Sequence, residues 1–284
     1  MTVQRRLPEW IRVKLPRDET FFETRRVVQE HGLNTVCEEA RCPNMAECWA
    51  HRTATFMLLG DTCTRNCRFC SVSHGKPKPP DPDEPRRVAQ AVARLGLQNV
   101  VVNSVDRDDL ADGGAAHFSA TAEAIRAALP DCTIEFLVPD FRPDAGAIDI
   151  VVRAPVDVLN HNVETVPRLY KRVRPGATYE RSLALLRRAR ERGGDLRTKT
   201  GLMLGLGETR DEVEATLGDI ANVGCEIVTL GQYLRPTAAQ LPVERFLTPA
   251  EFDELGELAR SFGFRHVESG PLVRSSYHAW SHVA

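Results

Sequence analysis

The stretch TFMLLGDTCTRNCRFC, residues 55–70, joins a short apolar run to three closely spaced cysteines. The run at residues 55–60 has the length and composition of a buried β-strand. The C-x3-C-x2-C group of Cys63, Cys67 and Cys70 begins three residues after that run. Because parallel βα folds bind their ligands at the C-terminal ends of strands, this cysteine group is predicted to lie at a site of chemistry.

From residue 54 onward, short apolar runs alternate with amphipathic stretches in six successive units. The predicted strands are residues 54–60, 99–105, 133–138, 156–160, 198–204 and 227–233. The predicted helical regions are residues 88–95, 115–129, 145–153, several segments within 164–192, 210–223 and 249–262. Such alternation indicates parallel strands with helices covering the sheet. Six units are fewer than the eight of a closed barrel, so we predict an α/β fold with a partial (βα)6 parallel barrel and a wide lateral mouth.

Composition narrows the class of protein. The chain has 284 residues, of which 42% are hydrophobic and 27% charged, as in globular proteins and not in disordered ones. Its 37 Lys and Arg residues against 39 Asp and Glu residues leave a net charge of −2, which gives no electrostatic reason to bind nucleic acid. No run of about 18 apolar residues predicts a membrane span, and residues 1–14 lack the apolar core of a secretory signal. We therefore predict a cytoplasmic protein, with reduced cysteines and with no membrane or nucleic-acid partner.

A second cysteine group, C-x4-C-x5-C, is formed by Cys37, Cys42 and Cys48, whereas Cys132 and Cys225 stand alone and are predicted to be buried in the core. Structural zinc uses four ligands, usually in C-x2-C pairs, which neither group supplies. Each group supplies three thiolates, one fewer than the four irons of a [4Fe–4S] cluster require, and so leaves one iron open. The spacing favours two iron–sulfur clusters. Zinc sites and disulfides remain open as alternatives at this point.

The cysteine loop at residues 63–70 resembles the cluster loop of radical S-adenosylmethionine (SAM) enzymes, and the upstream cysteine group narrows the resemblance to the lipoyl synthase family. Other agreeing segments are TVCEEARCPN at residues 35–44, YKRVRPG at residues 170–176 and RSSY at residues 274–277. The similarity runs from about Leu7 to the C-terminus. Two cysteine triplets together with the terminal RSSY form a highly specific combination.

This resemblance implies a sulfurtransferase with two [4Fe–4S] clusters, one of which binds SAM on the open iron. The implied reaction inserts two sulfur atoms, at C6 and C8 of an octanoyl chain attached to a lysine of a lipoyl carrier, and the cluster of Cys37, Cys42 and Cys48 is the sulfur donor. The implied carriers are the E2 lipoyl domain of a 2-oxoacid dehydrogenase and the glycine cleavage H protein. An electron donor such as ferredoxin or flavodoxin and an iron–sulfur carrier that rebuilds the donor cluster complete the expected partners of a monomer.

Candidate SAM contacts lie in the cluster loop and at the predicted strand ends: Phe69, Asn103, Ser104, Asn160, Asn162, Lys199 and Gly205. Helix capping is an alternative role for Ser104 and Asp106, and a strand-to-helix turn is one for the glycines of residues 201–208. Lys199, inside an apolar strand, must face the barrel interior or a partner, because an unpaired buried ammonium is costly. The basic run of Lys171, Arg172 and Arg174 is either a solvated face or a contact for an acidic carrier or for the SAM carboxylate.

The fourth ligand of the N-terminal cluster is predicted to be an oxygen, because a cluster that gives up sulfide needs one weak ligand. The segment at residues 274–277 offers two hydroxyls on a tail that could fold over the barrel mouth. A surface turn with local serine hydrogen bonds is the alternative. The resemblance points to Ser276 as the ligand, with Ser275 as the fallback.

We therefore expect an N-terminal extension at residues 1–53, a radical SAM barrel at residues 54–264 and a C-terminal segment at residues 265–284 that closes over the N-terminal cluster. Two other functions compete with this interpretation: a sulfur-inserting relative of biotin synthase, and a non-catalytic iron–sulfur carrier. A carrier does not need a barrel with polar strand ends, and a biotin synthase relative would not place its further cysteines in an N-terminal C-x4-C-x5-C group.

Overall fold

The computed structural model describes residues 7–12, 16, 18–51, 53–142, 146–192 and 194–279. The strands in this part of the chain are β1 (Asn34–Thr35), β2 (Thr55–Leu58), β3 (Thr62–Cys63), β4 (Ser73–His74), β5 (Asn99–Ser104), β6 (Thr133–Leu137), β7 (Val158–Asn160), β8 (Arg197–Leu204), β9 (Ile227–Gln232) and β10 (His266–Gly270). Within the predicted N-terminal and C-terminal segments, residues 1–6, 13–15, 17, 52 and 280–284 lie outside the described residues.

The helices are α1 (Glu19–Glu30), α2 (Val36–Glu39), α3 (Met45–Ala50), α4 (Glu84–Leu95), α5 (Ala115–Ala128), α6 (Ala147–Arg153), α7 (Tyr170–Val173), α8 (Tyr179–Arg192), α9 (Arg210–Asn222) and α10 (Pro249–Ser261), with a 3-10 turn at Pro167–Leu169. Local chemistry sets several of their ends. Capping boxes begin α9, with Thr209 and Glu212, and α10, with Thr248 and Glu251. Helix α4 ends at Gly96, which takes the left-handed conformation at φ 58°.

One eight-stranded sheet organises the fold, in the order β1-β2-β5-β6-β7-β8-β9-β10, and β3 pairs with β4 beside it. Every pairing in the large sheet is parallel except that of β1 with β2. The six predicted strands correspond to β2 and to β5 through β9, each followed by a helix. In the part of the chain that the structure describes, β1 and β10 do not pair with each other, so the predicted open α/β barrel is confirmed.

Two strands and one helix boundary differ from the sequence prediction. Strand β10, HVESG, contains a single strongly apolar residue and is half-exposed throughout, so no apolar run marks it. Strand β1 has only two residues. The predicted helical stretch 164–192 begins too early, because Glu164 takes a left-handed conformation at φ 71° and bridges to Leu202 of β8.

Two hydrophobic clusters fill the molecule. The first surrounds β2, β5 and β6 and includes Trp49 and Phe21, so α1 and α3 share a core with the barrel. The second lies between β8, β9, α9 and α10. Cys132 and Cys225 are both buried, as predicted. Among the described residues, no helix is long and apolar enough to cross a membrane.

Candidate active site

A cavity of about 600 Å³ opens at the C-terminal ends of the parallel strands. Five of the six clustered cysteines line it: Cys37, Cys42, Cys63, Cys67 and Cys70. Cys48 is not among the lining residues, but its thiol interacts with those of Cys37 and Cys42. The fold therefore brings two cysteine groups, separate in the sequence, to one chamber.

Backbone amides of the C-x3-C-x2-C loop and of the segment after β5 point at the first thiol of that loop. The Cys63 Sγ atom accepts hydrogen bonds from the N–H groups of Arg65, at 3.4 Å, and Asp106, at 3.3 Å. Burial, followed by the charge of Asp106, raises the pKa of Cys63 to about 11. Burial also raises the pKa of Cys67 to about 12, to which the charges of Cys63 and Cys70 contribute. Because these pKa values are raised, holding all three groups as thiolates requires a positive partner.

The second group is held by α2, α3 and the loop between them. Burial, with the charge of Cys42, raises the pKa of Cys37 to about 12, against hydrogen bonds from the Thr55 backbone and the Trp49 side chain. Burial raises the pKa of Cys48 as well, and the charges of Cys37 and Cys42 add to it. These three thiols thus also form one mutually interacting set.

The donor set fits iron–sulfur clusters better than single metal ions. Among the described residues, no three His, Cys, Asp or Glu side chains are close enough to hold one metal ion. A [4Fe–4S] cluster is wider than an ion and is held by thiolates that stand farther apart. On the cavity wall, Ser104 Oγ and Arg174 Nε are buried without a hydrogen-bond partner in the described chain, which suits a polar ligand. The residues present therefore fit two clusters and a polar cosubstrate.

A buried arginine anchors the cluster loop, and sequence reasoning missed it. Arg65 is 7% exposed and forms ion pairs with Asp108 and Asp140, each at 2.6 Å, and with Asp106 at 3.2 Å. Asp140 also binds Arg181 at 2.7 Å. Burial lowers the pKa of Arg65, but the hydrogen bond with Asp108 and the three carboxylate charges outweigh burial and raise it. Since Asp106 and Asp108 follow β5 and Asp140 follows β6, the network ties the loop to two strands of the barrel.

The basic run predicted at residues 171–174 divides between the surface and the cavity. Lys171 and Arg172 are exposed, and Arg172 binds Glu244 at 2.7 Å. Arg174 is 8% exposed, lines the cavity and donates to the Asn162 carbonyl at 2.7 Å. Glu164, which sequence reasoning also missed, lines the same wall, and burial raises its pKa against the opposing charge of Arg174.

The cavity contains one histidine that is not arranged for proton transfer. His161 is 1% exposed, and its ring nitrogens lie 2.9 Å from the Val138 carbonyl oxygen and 2.9 Å from Ser182 Oγ. Burial, followed by the charge of Arg174, lowers the pKa of His161 to about 4. The ring is therefore neutral near pH 7 and acts as a structural hydrogen bonder.

The predicted SAM contacts separate into two sets. Those on the cavity wall are Phe69, Asn103, Ser104 and Asn162, whereas those not among the lining residues are Asn160, Lys199 and Gly205. The Lys199 ammonium binds Glu135 inside the barrel. A Cβ on Gly205 would overlap the Gln232 side chain and the Arg245 carbonyl, so this glycine, at φ 97°, serves the turn after β8.

Helix capping, the alternative for Ser104 and Asp106, is wrong. Helix α5 starts after Gly114, ten residues beyond Ser104. Asp106 instead faces Cys63 and Arg65. Ser104 lies on the cavity wall with its hydroxyl free of partners among the described residues.

The two serines of the C-terminal segment line the cavity but have different neighbours. Ser276 Oγ lies 3.1 Å from Thr55 Oγ1, and the Thr55 backbone also hydrogen-bonds to Cys37. Ser275 Oγ instead accepts from Asn160 Nδ2 and donates to Asn162 Oδ1, each at 2.7 Å. Ser276 is thus the serine on the side of the N-terminal cysteine group.

Comparison with known proteins agrees with this arrangement. Residues 57–220 match the family model of the radical SAM superfamily, and residues 1–42 match that of the N-terminal domain of lipoyl synthase. The chain is 56% identical over 275 residues to a lipoyl synthase of Methylococcus capsulatus, covering 96% of this chain and 85% of that protein. It is 56% identical over 276 residues to a lipoyl synthase of Nitratidesulfovibrio vulgaris, covering 97% and 92%. The crystal structure of methylornithine synthase shares the fold at a TM-score of 0.57 and 14% identity, covering 89% of this chain and 82% of that one.

Proposed function

The chain belongs to the lipoyl synthase family of radical SAM enzymes. We therefore propose that SAM cleavage and sulfur insertion both occur in the cavity of about 600 Å³. The family inserts two sulfur atoms into an octanoyl chain carried by a lipoyl carrier, using SAM and iron–sulfur clusters, and this is the activity of the chain. The observation that carries the proposal is that both cysteine groups face the same cavity.

We assign Cys63, Cys67 and Cys70 to the cluster that binds SAM, and Cys37, Cys42 and Cys48 to the cluster that donates sulfur. When bound, these groups would supply one electron to each of two SAM molecules, one 5′-deoxyadenosyl radical per SAM to remove one hydrogen, at C6 or at C8, and the sulfur that replaces each hydrogen. The chain's own residues position and shield: Arg65 fixes the loop, and apolar wall residues such as Val138 and Met203 exclude water from the octanoyl chain.

The SAM site that we propose uses the predicted contacts that reach the cavity. Phe69 offers a ring face for the adenine, and Asn103, Ser104 and Asn162 offer hydrogen bonds for the ribose and methionine parts. Arg174, with an unpartnered buried Nε, complements a carboxylate. Asn160, Lys199 and Gly205 are not carried into this site.

We propose Ser276 as the fourth ligand of the sulfur-donating cluster. Its hydroxyl contacts Thr55, which hydrogen-bonds to Cys37 through the backbone. The hydroxyl of Ser275 already accepts one hydrogen bond and donates another, which supports Ser276 over the fallback.

Ser276→Ala is expected to leave both clusters largely assembled and to lower sulfur insertion at least about tenfold, because three thiolates still hold the donor cluster but its labile corner changes. Ser276→Cys is expected to keep iron yet also lower product, since a thiolate binds iron more firmly than an oxygen ligand does. Iron content, Mössbauer spectra and lipoyl product would be measured together. Full product formation by both variants would rule out the assignment.

We further propose that exposed arginines at the cavity mouth receive an acidic face of the carrier protein. Arg41 lines the cavity and Arg68 lies between two lining residues, and both are exposed, with no ion-pair partner in the described part of the chain. We also propose that the carrier is an E2 lipoyl domain or a glycine cleavage H protein, that the reductant is ferredoxin or flavodoxin, and that an iron–sulfur carrier rebuilds the donor cluster. We propose, finally, that the enzyme is a monomer in the cytoplasm.

Arg41→Glu and Arg68→Glu are each expected to raise the KM for an octanoylated carrier domain about fivefold at low salt, because reversing one rim charge replaces attraction by repulsion. The difference should shrink as salt rises to about 0.5 M. Arg187→Glu, an equal charge change on the exposed side of α8, is the matched control. An equal KM for all three variants would exclude docking at this rim.

The activity itself is tested with the anaerobically reconstituted chain. About eight irons and eight sulfides per chain are expected from two clusters. With reductant, SAM and an octanoyl-lysine carrier domain, 5′-deoxyadenosine and lipoyl product should both form. Formation of 5′-deoxyadenosine without any sulfur insertion into this substrate would overturn the proposed function.

A further inference from the structure

Buried polar side chains connect the middle of the barrel to its C-terminal tail, residues 271–279. The Lys199 ammonium lies 2.8 Å from both oxygens of Glu135. Glu135 Oε1 also accepts from Asn160 Nδ2 at 2.8 Å, and the same nitrogen donates to Ser275 Oγ at 2.7 Å. Ser275 then donates to Asn162 Oδ1 at 2.7 Å. Five side chains on three strands, one following loop and the tail thus form one continuous network.

The strand register explains why these groups meet. Asn160 of β7 pairs with Leu137 of β6 on one side and with Lys199 of β8 on the other. Glu135 precedes Leu137 by two residues and so points to the same face of the sheet. Leu137 lines the cavity, which places the Lys199 and Glu135 side chains inside the barrel, beneath the cavity floor.

Burial makes this network rigid. Lys199 and Asn160 are 0% exposed and Glu135 is 3% exposed, so breaking any of their contacts would leave a buried charge or amide unpaired. Because the Glu135 carboxylate, paired with Lys199, can only accept hydrogen bonds, the Asn160 amide nitrogen must face it. The second N–H of that nitrogen then points to Ser275, which fixes the side chain at this position of the tail.

A second set of contacts, with Gly231 of β9 and with Asn44, holds the tail against the sheet. A Cβ on Gly231 of β9 would overlap the Val273 carbonyl, so the tail crosses directly over the strand backbone. Next to it, Asn44 Nδ2 donates to the Leu272 carbonyl at 2.7 Å. The tail position is therefore defined on two sides, just before the residue that faces the N-terminal cysteine group.

We propose that Ser275 is a positioning residue. Asn160 and Asn162 bind its hydroxyl, and these hydrogen bonds fix the position of the tail. In that position Ser276 faces Cys37, Cys42 and Cys48. The Lys199–Glu135 ion pair contributes by orienting the Asn160 amide that binds Ser275. The inference rests on the proposed role of Ser276 for its functional consequence, whereas the anchoring of the tail is a property of the protein chain alone.

The test compares Ser275→Ala with Ser269→Ala by hydrogen–deuterium exchange on the full-length chain, both cluster-free and reconstituted. Ser269 is the matched control, since its hydroxyl binds the Phe252 carbonyl in α10, outside the network. Ser275→Ala is expected to speed exchange at the Val273 and Tyr277 amides about tenfold, because two hydrogen bonds are lost. Ser269→Ala should leave these amides as in the parent, and Ser275→Thr should restore protection. Unchanged tail exchange in Ser275→Ala would overturn the proposal.

In the reconstituted protein, Ser275→Ala is expected to shift the Mössbauer spectrum of the donor cluster toward that of Ser276→Ala and to lower lipoyl product about tenfold or more. Gly231→Ala, which displaces the tail without removing a polar group, should do the same. If Ser275→Ala frees the tail but the spectrum matches the parent, presentation of Ser276 is refuted. If Ser276→Ala alone leaves the spectrum unaltered, the ligand assignment fails, and the exchange data on the cluster-free chain still decide the anchoring.

Discussion

Replacing Cys63, Cys67 and Cys70 together by alanine is expected to abolish 5′-deoxyadenosine formation while about four irons per chain stay bound. The three thiols belong to one loop whose first Sγ atom receives two backbone N–H groups, and all three residues line the cavity. The second cysteine group is built on α2 and α3 and does not depend on that loop for its ligands. Product analysis by chromatography and iron determination measure the two effects on the same sample.

Cys132→Ala is the control for this triple variant, because Cys132 is a buried cysteine outside both groups. It should bind about eight irons and cleave SAM like the parent. Residual 5′-deoxyadenosine formation by the triple variant above the uncatalysed background would contradict the assignment of this loop. Loss of all eight irons would show that the two clusters do not assemble independently.

Replacing Cys37, Cys42 and Cys48 together by alanine is expected to leave SAM cleavage and to abolish sulfur insertion. These thiols interact with one another and are separate from the loop that carries Cys63. Without them the proposed sulfur-donating cluster cannot assemble, although hydrogen removal from the octanoyl chain can still begin. Mass spectrometry of the octanoyl-lysine carrier after one reaction cycle distinguishes the two steps.

The expected result for this second variant is unmodified or desaturated octanoyl carrier, with 5′-deoxyadenosine near the parent level. Any lipoyl product would exclude the Cys37, Cys42 and Cys48 cluster as the sulfur source. Trp49 contacts both the cysteine group and α1, so thermal unfolding of the variant is measured in parallel. A melting temperature within about 4 °C of the parent would show that the core of α1 and α3 is retained.

The barrel can be predicted from the sequence because most of its strands have a distinctive apolar composition. Strands β5, β6, β8 and β9 start within one residue of the predicted positions, since each is a buried apolar run bounded by polar residues. Strand β10 is not predicted from the sequence, because it is not an apolar run. It pairs with β9 at the edge of the sheet through backbone hydrogen bonds, which do not require apolar side chains. Pro175 and Gly176 follow α7 and separate it from α8, so residues 164–192 hold more than one helical segment, as predicted.

Cysteine spacing makes the two cluster groups recognisable, whereas the groups that support them depend on contacts far apart in the chain. Arg65 meets Asp140 only because their two loops follow strands of the same sheet. Lys199 and Glu135 carried a signal in the sequence, because each is a charged residue within a predicted buried strand, where an unpaired charge is costly. The sequence alone does not reveal that this pair leads, through Asn160, to Ser275.

The contact between Asn44 and Leu272 joins residues 228 positions apart, at the place where the N-terminal cysteine group meets the tail. A ribosome adding about 5–20 residues per second needs roughly 11 to 46 s to make that intervening stretch. By the time Leu272 is added, Cys37, Cys42 and Cys48 lie far behind it in the chain, and Asn44 beside them still lacks its contact with the tail. Because the contact with the tail forms only after Leu272 has been made, we expect the proposed donor site to be completed, and to receive its iron and sulfide, after chain release.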